Sequence, residues 1–296
     1  MNRGAFRQKE RLLGLLLILP ALTIFLTITY YPLIFSFFYS VTDFTGRSLD
    51  FNFVGLENFR NAMNDSLVRA SIWNTFSFAL FTTLIGNAVN LLLALVLDSG
   101  LRTKNYLRTA FYIPCLLSPV IVSAIFGSIL QYDGVLNTFL KTIGLDFLAL
   151  DYFGKMNLAM PMLMALNIWQ WCGYGAIIYL AGLQTIPTEY YEAATIDGAG
   201  AFDKFFKITL PLLMPSITIV TFMSLTGGLK LFDLPFILTK GGPGNATQTI
   251  GTAIYKIGFE YNKMGYATAI AVLFFFVIAI LAIAQLRLTR SREVEH

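Results

Sequence analysis

The chain has 296 residues, 56% of them apolar and only 13% charged, with a mean hydropathy of +0.66. That composition describes an integral membrane protein and excludes a soluble enzyme. The formal charge is only +4 and the single histidine is the final residue, His296, so histidine acid–base chemistry and imidazole metal sites fall away.

A basic tail, NRGAFRQKER, leads into Leu12–Phe38, which carries no charge and at about 1.5 Å per residue is long enough to cross a bilayer. The run is longer than a signal-peptide core and no small-x-small site closes it, so it reads as a retained first span bent at Pro20 and Pro32. Thr42–Arg69 is a polar, glycine-punctuated loop containing GLENF at 55–59. Ser71–Leu97 is the second span, with Asn74, Asn87 and Asn90 among its apolar residues; for the last two, interhelical hydrogen bonding is preferred to a place on a solute route. After the basic turn Asp98–Arg108 comes a third span, Thr109–Leu130, kinked at Pro114 and Pro119. Gln131–Asn157 is a second polar loop and Leu158–Gln184 the fourth span. Cys115 and Cys172 fall inside apolar stretches and read as buried small hydrophobes, not as a disulfide.

Residues 187–209 are the most polar long segment between two apolar ones. Thr188 is placed to cap a first helical turn, and Glu189 and Glu192 lie where a helix N-terminus favours negative charge. Ala193, Ala194, Ile196 and Ala199 give the helix a small, apolar side, and Gly198 and Gly200 end it. A second helix is expected from about Phe202 into Leu210-Pro211. A short helix with no core of its own needs another protein to pack against; the alternative is an interfacial helix without a partner. Leu210–Phe232, interrupted at Gly227-Gly228, is the fifth span, Asp233–Gly265 a third loop and Tyr266–Leu286 the sixth span. The expected fold is all-α: one domain over residues 1–296, a bundle of six membrane helices.

Basic residues set the orientation. The two tails, the 98–108 turn and the 187–209 loop hold about twelve in roughly 55 positions, against about eight in nearly 90 for the other loops. Both termini and the 187–209 loop therefore face the cytoplasm.

Glu192-Ala193-Ala194, then Gly198, then Ile208-Thr209-Leu210-Pro211 follow the spacing of the EAA loop, and the chain resembles the permease subunits of bacterial carbohydrate ABC importers, in the maltose-type and multiple-sugar branch. GLENF, GGPGNATQTI at 241–250 and GYATAIAVLF at 265–274 extend the likeness through roughly the last 230 residues. The resemblance implies a type I importer permease fold in the bacterial cytoplasmic membrane, without the large outer domain and extra helices of the maltose permease. It implies that Glu192, Ala193, Ala194, Asp197, Gly198, Ile208, Leu210 and Pro211 form a coupling helix seated in a groove of an ATPase. Implied partners are a second, homologous permease, two cytosolic ABC ATPase subunits and an extracytoplasmic solute-binding protein. The chain has no GxxxxGK[ST], so it is a transport subunit and not an enzyme; no cofactor is expected on it, ATP and magnesium belonging to the ATPases.

Polar groups at membrane depth are costly and mark functional candidates. Asn167, Gln170, Trp171 and Tyr174 fall at i, i+3, i+4 and i+7, one helix face. Amides pair with hydroxyls, and aromatic rings cover the C–H faces of pyranoses; the alternative for this face is helix–helix bonding with interfacial aromatics. Ser224, Gly228 and Leu231 share a face of the fifth span. By resemblance both faces line the sugar route, with Gln170 and Trp171 standing where the maltose branch has smaller or apolar residues. Lys230 and Asp233, three apart, read as an interfacial ion pair, the alternative being that Lys230 meets an acidic sugar or a phosphate. The expected function is ATP-driven uptake of a sugar or oligosaccharide; the alternative is glycerol phosphate, an acidic sugar or another small polar solute. A membrane enzyme would need HExxH, paired carboxylates or an activated nucleophile, and an ion-coupled carrier acidic residues in its spans; the sequence offers neither.

Overall fold

The computed structural model describes residues 3–48 and 50–291, with side chains from residue 14 onward. The helices run α1 Arg3–Phe25, α2 Tyr31–Tyr39, α3 Glu57–Asn64, α4 Ser66–Asp98, α5 Lys104–Leu116, α6 Pro119–Leu130, α7 Val135–Thr142 and α8 Met156–Leu183. After them come α9 Thr188–Ile196, α10 Ala201–Lys204, α11 Leu210–Leu212, α12 Met214–Leu229, α13 Asp233–Leu238, α14 Ile250–Tyr255 and α15 Met264–Arg290. Among the described residues there is no strand, only a single bridge between Thr42 and Phe53. Backbone groups are thus satisfied within helices, as an apolar solvent demands. His296 and Arg292 lie outside the described residues, as do the side chains of Arg3, Arg7, Lys9 and Arg11.

Two compact units divide the chain. The first comprises Met1–Asn64 and Ile254–Leu273. Pro20 sits inside α1 without ending it; the register changes instead at Leu26–Tyr30, a π segment just ahead of Pro32. A proline offers no N–H to the carbonyl four residues back, and a local shift to wider i→i+5 pairing absorbs the loss. The same device recurs at Phe205–Thr209, ahead of Pro211. In the GLENF stretch, Asn58 donates from Nδ2 to the carbonyls of Ser40 (3.0 Å) and Thr42 (2.8 Å), tying α3 to the end of α2. Tyr39 stacks on Phe44 with 4.3 Å between centroids, and Phe51 meets both rings edge-on. Asn52 donates twice to the Asp43 carboxylate, which holds that group below the ordinary carboxylate value.

The second unit comprises Asp65–Ala253 and Phe274–His296. Asp65 caps α4 by accepting from the Leu67 N–H at 2.8 Å. Two apolar clusters hold the helices together. Phe78, Met160, Leu163, Leu231 and Leu234 form one; Ala94, Leu97, Tyr179, Leu180, Leu183, Leu213 and Val220 belong to the other. Early residues of α4 thus meet early residues of α8 and late ones meet late ones, so these helices run parallel, while α12 runs against them. Thr75, Thr82 and Thr218 return their hydroxyls to the carbonyls four residues back, which lets threonine sit in a membrane helix.

Five stretches among the described residues are long and apolar enough to cross a membrane: Gly14–Tyr39, Ser66–Asp98, Pro119–Thr142, Met214–Leu238 and Met264–Arg290. The expected span at 158–184 falls in α8, which is 28 residues long but is diluted by Asn167, Gln170 and three large amphipathic rings at 169, 171 and 174. The expected span at 109–130 is not one kinked helix. It breaks at Leu117-Ser118 into α5 and α6, because Ser118 caps a new helix and Pro119 opens it. Gly227-Gly228 does not interrupt the fifth apolar helix, since α12 continues to Leu229.

Candidate functional site

Between the two apolar clusters of the second unit lies a cavity of about 340 Å³. On its wall α4 places Thr82, Gly86 and Asn90, α8 places Asn167, Gln170, Trp171 and Tyr174, and α12 places Ser224 and Gly228; Lys230, Leu231, Asp233 and Pro119 are among the other lining residues. All seven residues singled out on the two helix faces therefore converge on one space. They do not play equal parts in it. Trp171 is 44% exposed and meets Tyr174 edge-on at 6.3 Å between centroids, a pair of rings presented side by side. Among the described residues, the polar atoms of the Asn167, Tyr174 and Ser224 side chains find no hydrogen-bond partner. Gln170 is different: it is 1% exposed, and its Nε2 is committed to the carbonyl of Leu117 at 3.1 Å. Gly228 makes room for α4 more than for a ligand, because a Cβ there would lie 2.8 Å from the Cα of Ala79.

Two acceptors on this wall are unsatisfied. The Oδ1 of Asn90, a residue 4% exposed, and the Oε1 of Gln170 have no partner. Buried amide oxygens normally find one. Asn87, by contrast, is settled within the chain: Tyr179 donates to its Oδ1 across the α4–α8 contact, and its Nδ2 donates to the Thr83 carbonyl. Thr82 was not legible as a wall residue, because its hydroxyl bonds its own helix and leaves no unusual signal in the sequence.

Lys230 and Asp233 form no ion pair. Their three-residue spacing would align them only within one continuous helix, and α12 stops at Leu229 while α13 starts at Asp233. Each charge instead suits a helix end, the lysine at a carboxyl terminus and the aspartate at an amino terminus.

The 187–209 segment folds as α9 and α10 followed by the π segment. Thr188 does not cap α9. Pro187 occupies the capping position with extended backbone (ψ 136°), so Thr188 is already the first helical residue and no side chain caps the helix. At the other end Gly198 has φ +77°, and the Ala199 N–H donates to the Ala194 carbonyl (2.8 Å) while the Gly198 N–H donates to that of Thr195 (3.1 Å). This is a Schellman termination, and it needs a left-handed residue at Gly198. Gly200 does not share in it but precedes the first residue of α10. Lys204 reaches back to Thr195 (2.7 Å) and Tyr191 pairs with Thr209 (2.9 Å), so the segment is braced on itself. Lys207 pairs with Asp203 at 2.6 Å and holds its carboxyl below the ordinary value. Ile196 and Phe202 are left 87% and 82% exposed at the tip, and Glu192, Ala193, Ala194 and Asp197 lie on the same short helix or its end. Ile208 falls in the π segment and Leu210 and Pro211 open α11.

Long apolar helices, and a cavity in the second unit whose mainly apolar wall carries a few amide, hydroxyl and charged side chains, fit a membrane transport component. The family of binding-protein-dependent transport system inner membrane components matches residues 11–293, and the chain belongs to it. It is a permease subunit of an ABC importer, located in the inner membrane, and hydrolyses no ATP itself. It is 36% identical to the multiple sugar-binding transport system permease protein MsmF of Streptococcus mutans, over 90% of this chain and 91% of that one. It is also similar to a chain of a bacterial ABC transporter that imports the acidic polysaccharide alginate (TM-score 0.84, 25% identity, 98% and 99% of the two chains covered). A second structure of a bacterial alginate transporter, in complex with an alginate pentasaccharide-bound periplasmic protein, gives a TM-score of 0.83 at 25% identity and covers 98% of each chain.

Proposed function

We infer that the cavity between α4, α8 and α12 is this subunit's share of a route for a sugar or oligosaccharide. The observation that carries the reading is the meeting of Asn167, Trp171, Tyr174 and Ser224 on one wall with their polar atoms free. Free amides and hydroxyls pair with sugar hydroxyls, and the two edge-on rings offer apolar faces to pyranose C–H groups. Gly228 and Leu231 shape the same wall. A second, homologous permease supplies the rest of the route, and an extracytoplasmic binding protein delivers the solute. α8 counts as a membrane span, giving six with both termini cytoplasmic. The segment 187–209 then faces one of the two ATPase subunits, which hold ATP and magnesium, while this chain needs no cofactor. Its exposed Ile196 and Phe202 suit a protein groove better than water. Trp171→Ala in the assembled importer tests the cavity: the rate of uptake at low solute falls by roughly tenfold, or the order of preference among sugars changes. Uptake kinetics identical to wild type across a panel of sugars would take the wall off the route.

One observation favours an acidic sugar within the same scheme. Lys230 lines the cavity and forms no ion pair with Asp233, which lines it as well. Lys230→Ala then lowers uptake of an anionic oligosaccharide severalfold more than that of a neutral one; equal losses exclude this variant of the reading.

A further inference from the structure

The membrane segment built from α5 and α6 is broken, and its two pieces keep different company. α5 packs on α8 and α4, whereas α6 packs mainly on α13 and α7 and reaches α8 through the Phe126–Trp169 ring pair. The break consists of Leu117, with extended backbone (φ −76°, ψ 136°), and Ser118, whose Oγ accepts from the Val120 N–H. A helix end leaves carbonyls that no helical amide reaches, and Pro119 brings no N–H to help. In apolar surroundings such a carbonyl is expensive to leave bare. The Leu117 carbonyl is met from another helix, by Nε2 of Gln170 at 3.1 Å. A carbonyl can only accept, so this contact fixes which way the amide points. Gln170 is 1% exposed, shares the cavity wall with Pro119, and leaves its own Oε1 unpaired. Three residues along α8, Gly173 lies against the backbone of α5 at Phe111, so α5 and α8 are one piece right up to the break.

We propose, resting on the transport reading above, that Gln170 is a positioning residue that latches a joint at Leu117-Ser118, about which α6 and α13 move as a pair when the cavity changes access. α5, α8 and α4 stay together on the other side of the joint. The latch is one hydrogen bond made by a half-satisfied amide; across the same seam Phe126 of α6 meets Trp169 of α8 edge-on and Leu234 of α13 packs with Phe78, Met160 and Leu163, apolar contacts that can slide where the hydrogen bond must break. Gln170 therefore acts on the cavity through α6 and not by holding the solute.

The complete importer, in nanodiscs, carries genetically encoded spin-labelled residues at Thr109 on α5 and Ser128 on α6, both exposed. In the wild type the label separation is narrow without nucleotide and shifts when Mg-ATP and vanadate trap the closed ATPases. Gln170→Met removes the donor, and Gln170→Asn keeps an amide but is one methylene too short. Both broaden the nucleotide-free distribution toward the trapped distance and raise basal ATPase activity by about tenfold, the effect of one lost buried hydrogen bond. A wild-type separation that is the same in both states, or variants with the wild-type narrow distribution, overturns the joint. A Gln170→Met variant that raises only the KM for uptake makes Gln170 a solute ligand and overturns the latch. Unchanged uptake in Trp171→Ala would remove the cavity reading, while the label distances judge the joint independently.

Discussion

Gly173→Val prevents folded protein from accumulating in the membrane. A Cβ at this position would fall within the envelope of the Phe111 carbonyl oxygen and 2.8 Å from the Tyr112 nitrogen. These are backbone atoms of α5, so no flexible side chain can yield; the two helices must separate. Small residues let membrane helices approach closely, and the packing lost when they part is the main force holding such helices together. Overpacking a tight contact costs about 1–3 kcal/mol, and a branched side chain against backbone sits at or above the upper end. Separation also pulls Gln170 away from Leu117, adding an unpaired carbonyl. The level in the membrane fraction and the thermal aggregation midpoint of detergent-solubilised protein check this. Wild-type values for both would contradict the close approach. Gly173→Ala produces the same defect in milder form.

Gly198→Val leaves the protein in the membrane and lowers uptake by tenfold or more. Here nothing lies within 4 Å of the position a Cβ would take, so the substitution tests backbone conformation alone. A β-branched residue forced to φ +77° carries strain of roughly 1–3 kcal/mol. The chain relieves it by abandoning the turn, and the Ala199-to-Ala194 hydrogen bond goes with it. α9 and α10 then lose their fixed angle, and Ile196 and Phe202 are no longer presented together. Asparagine tolerates left-handed backbone, so Gly198→Asn retains most of the uptake. Membrane levels by immunoblot separate this from a folding defect. Normal uptake by Gly198→Val would show that the geometry of the turn is not used in coupling.

Features that depend on helical period were legible in the sequence. Asn167, Gln170, Trp171 and Tyr174 share a face by spacing alone, and they share one wall of one cavity. The same holds for Ser224, Gly228 and Leu231. Apolar length picked out stretches that overlap the five long apolar helical stretches among the described residues. What escaped depends on a partner outside the local stretch. Nothing in the residues around Leu117 says that Gln170, 53 positions away, will take its carbonyl. Gly227-Gly228 looks like an interruption until Ala79 is seen to need the space. The pairing of Lys230 with Asp233 assumed one helix across both, whereas the chain turns between them. Thr188 lost the capping position because the extended Pro187 starts the helix one residue early. Asn87 was read as an interhelical bonder, and its partner proved to be Tyr179, whose phenol is apparent only when α4 and α8 are set side by side.

The segment after α13 is fastened to the beginning of α4. Asn74 donates to the carbonyls of Asn245 (2.9 Å) and Gln248 (3.0 Å), and the Ile250 N–H donates to the Thr75 hydroxyl (2.9 Å). About two to four turns further along α4 stand Thr82, Gly86 and Asn90. A tug on the GGPGN stretch is therefore borne by the same rod that forms one side of the chamber, with no slack chain between handle and wall.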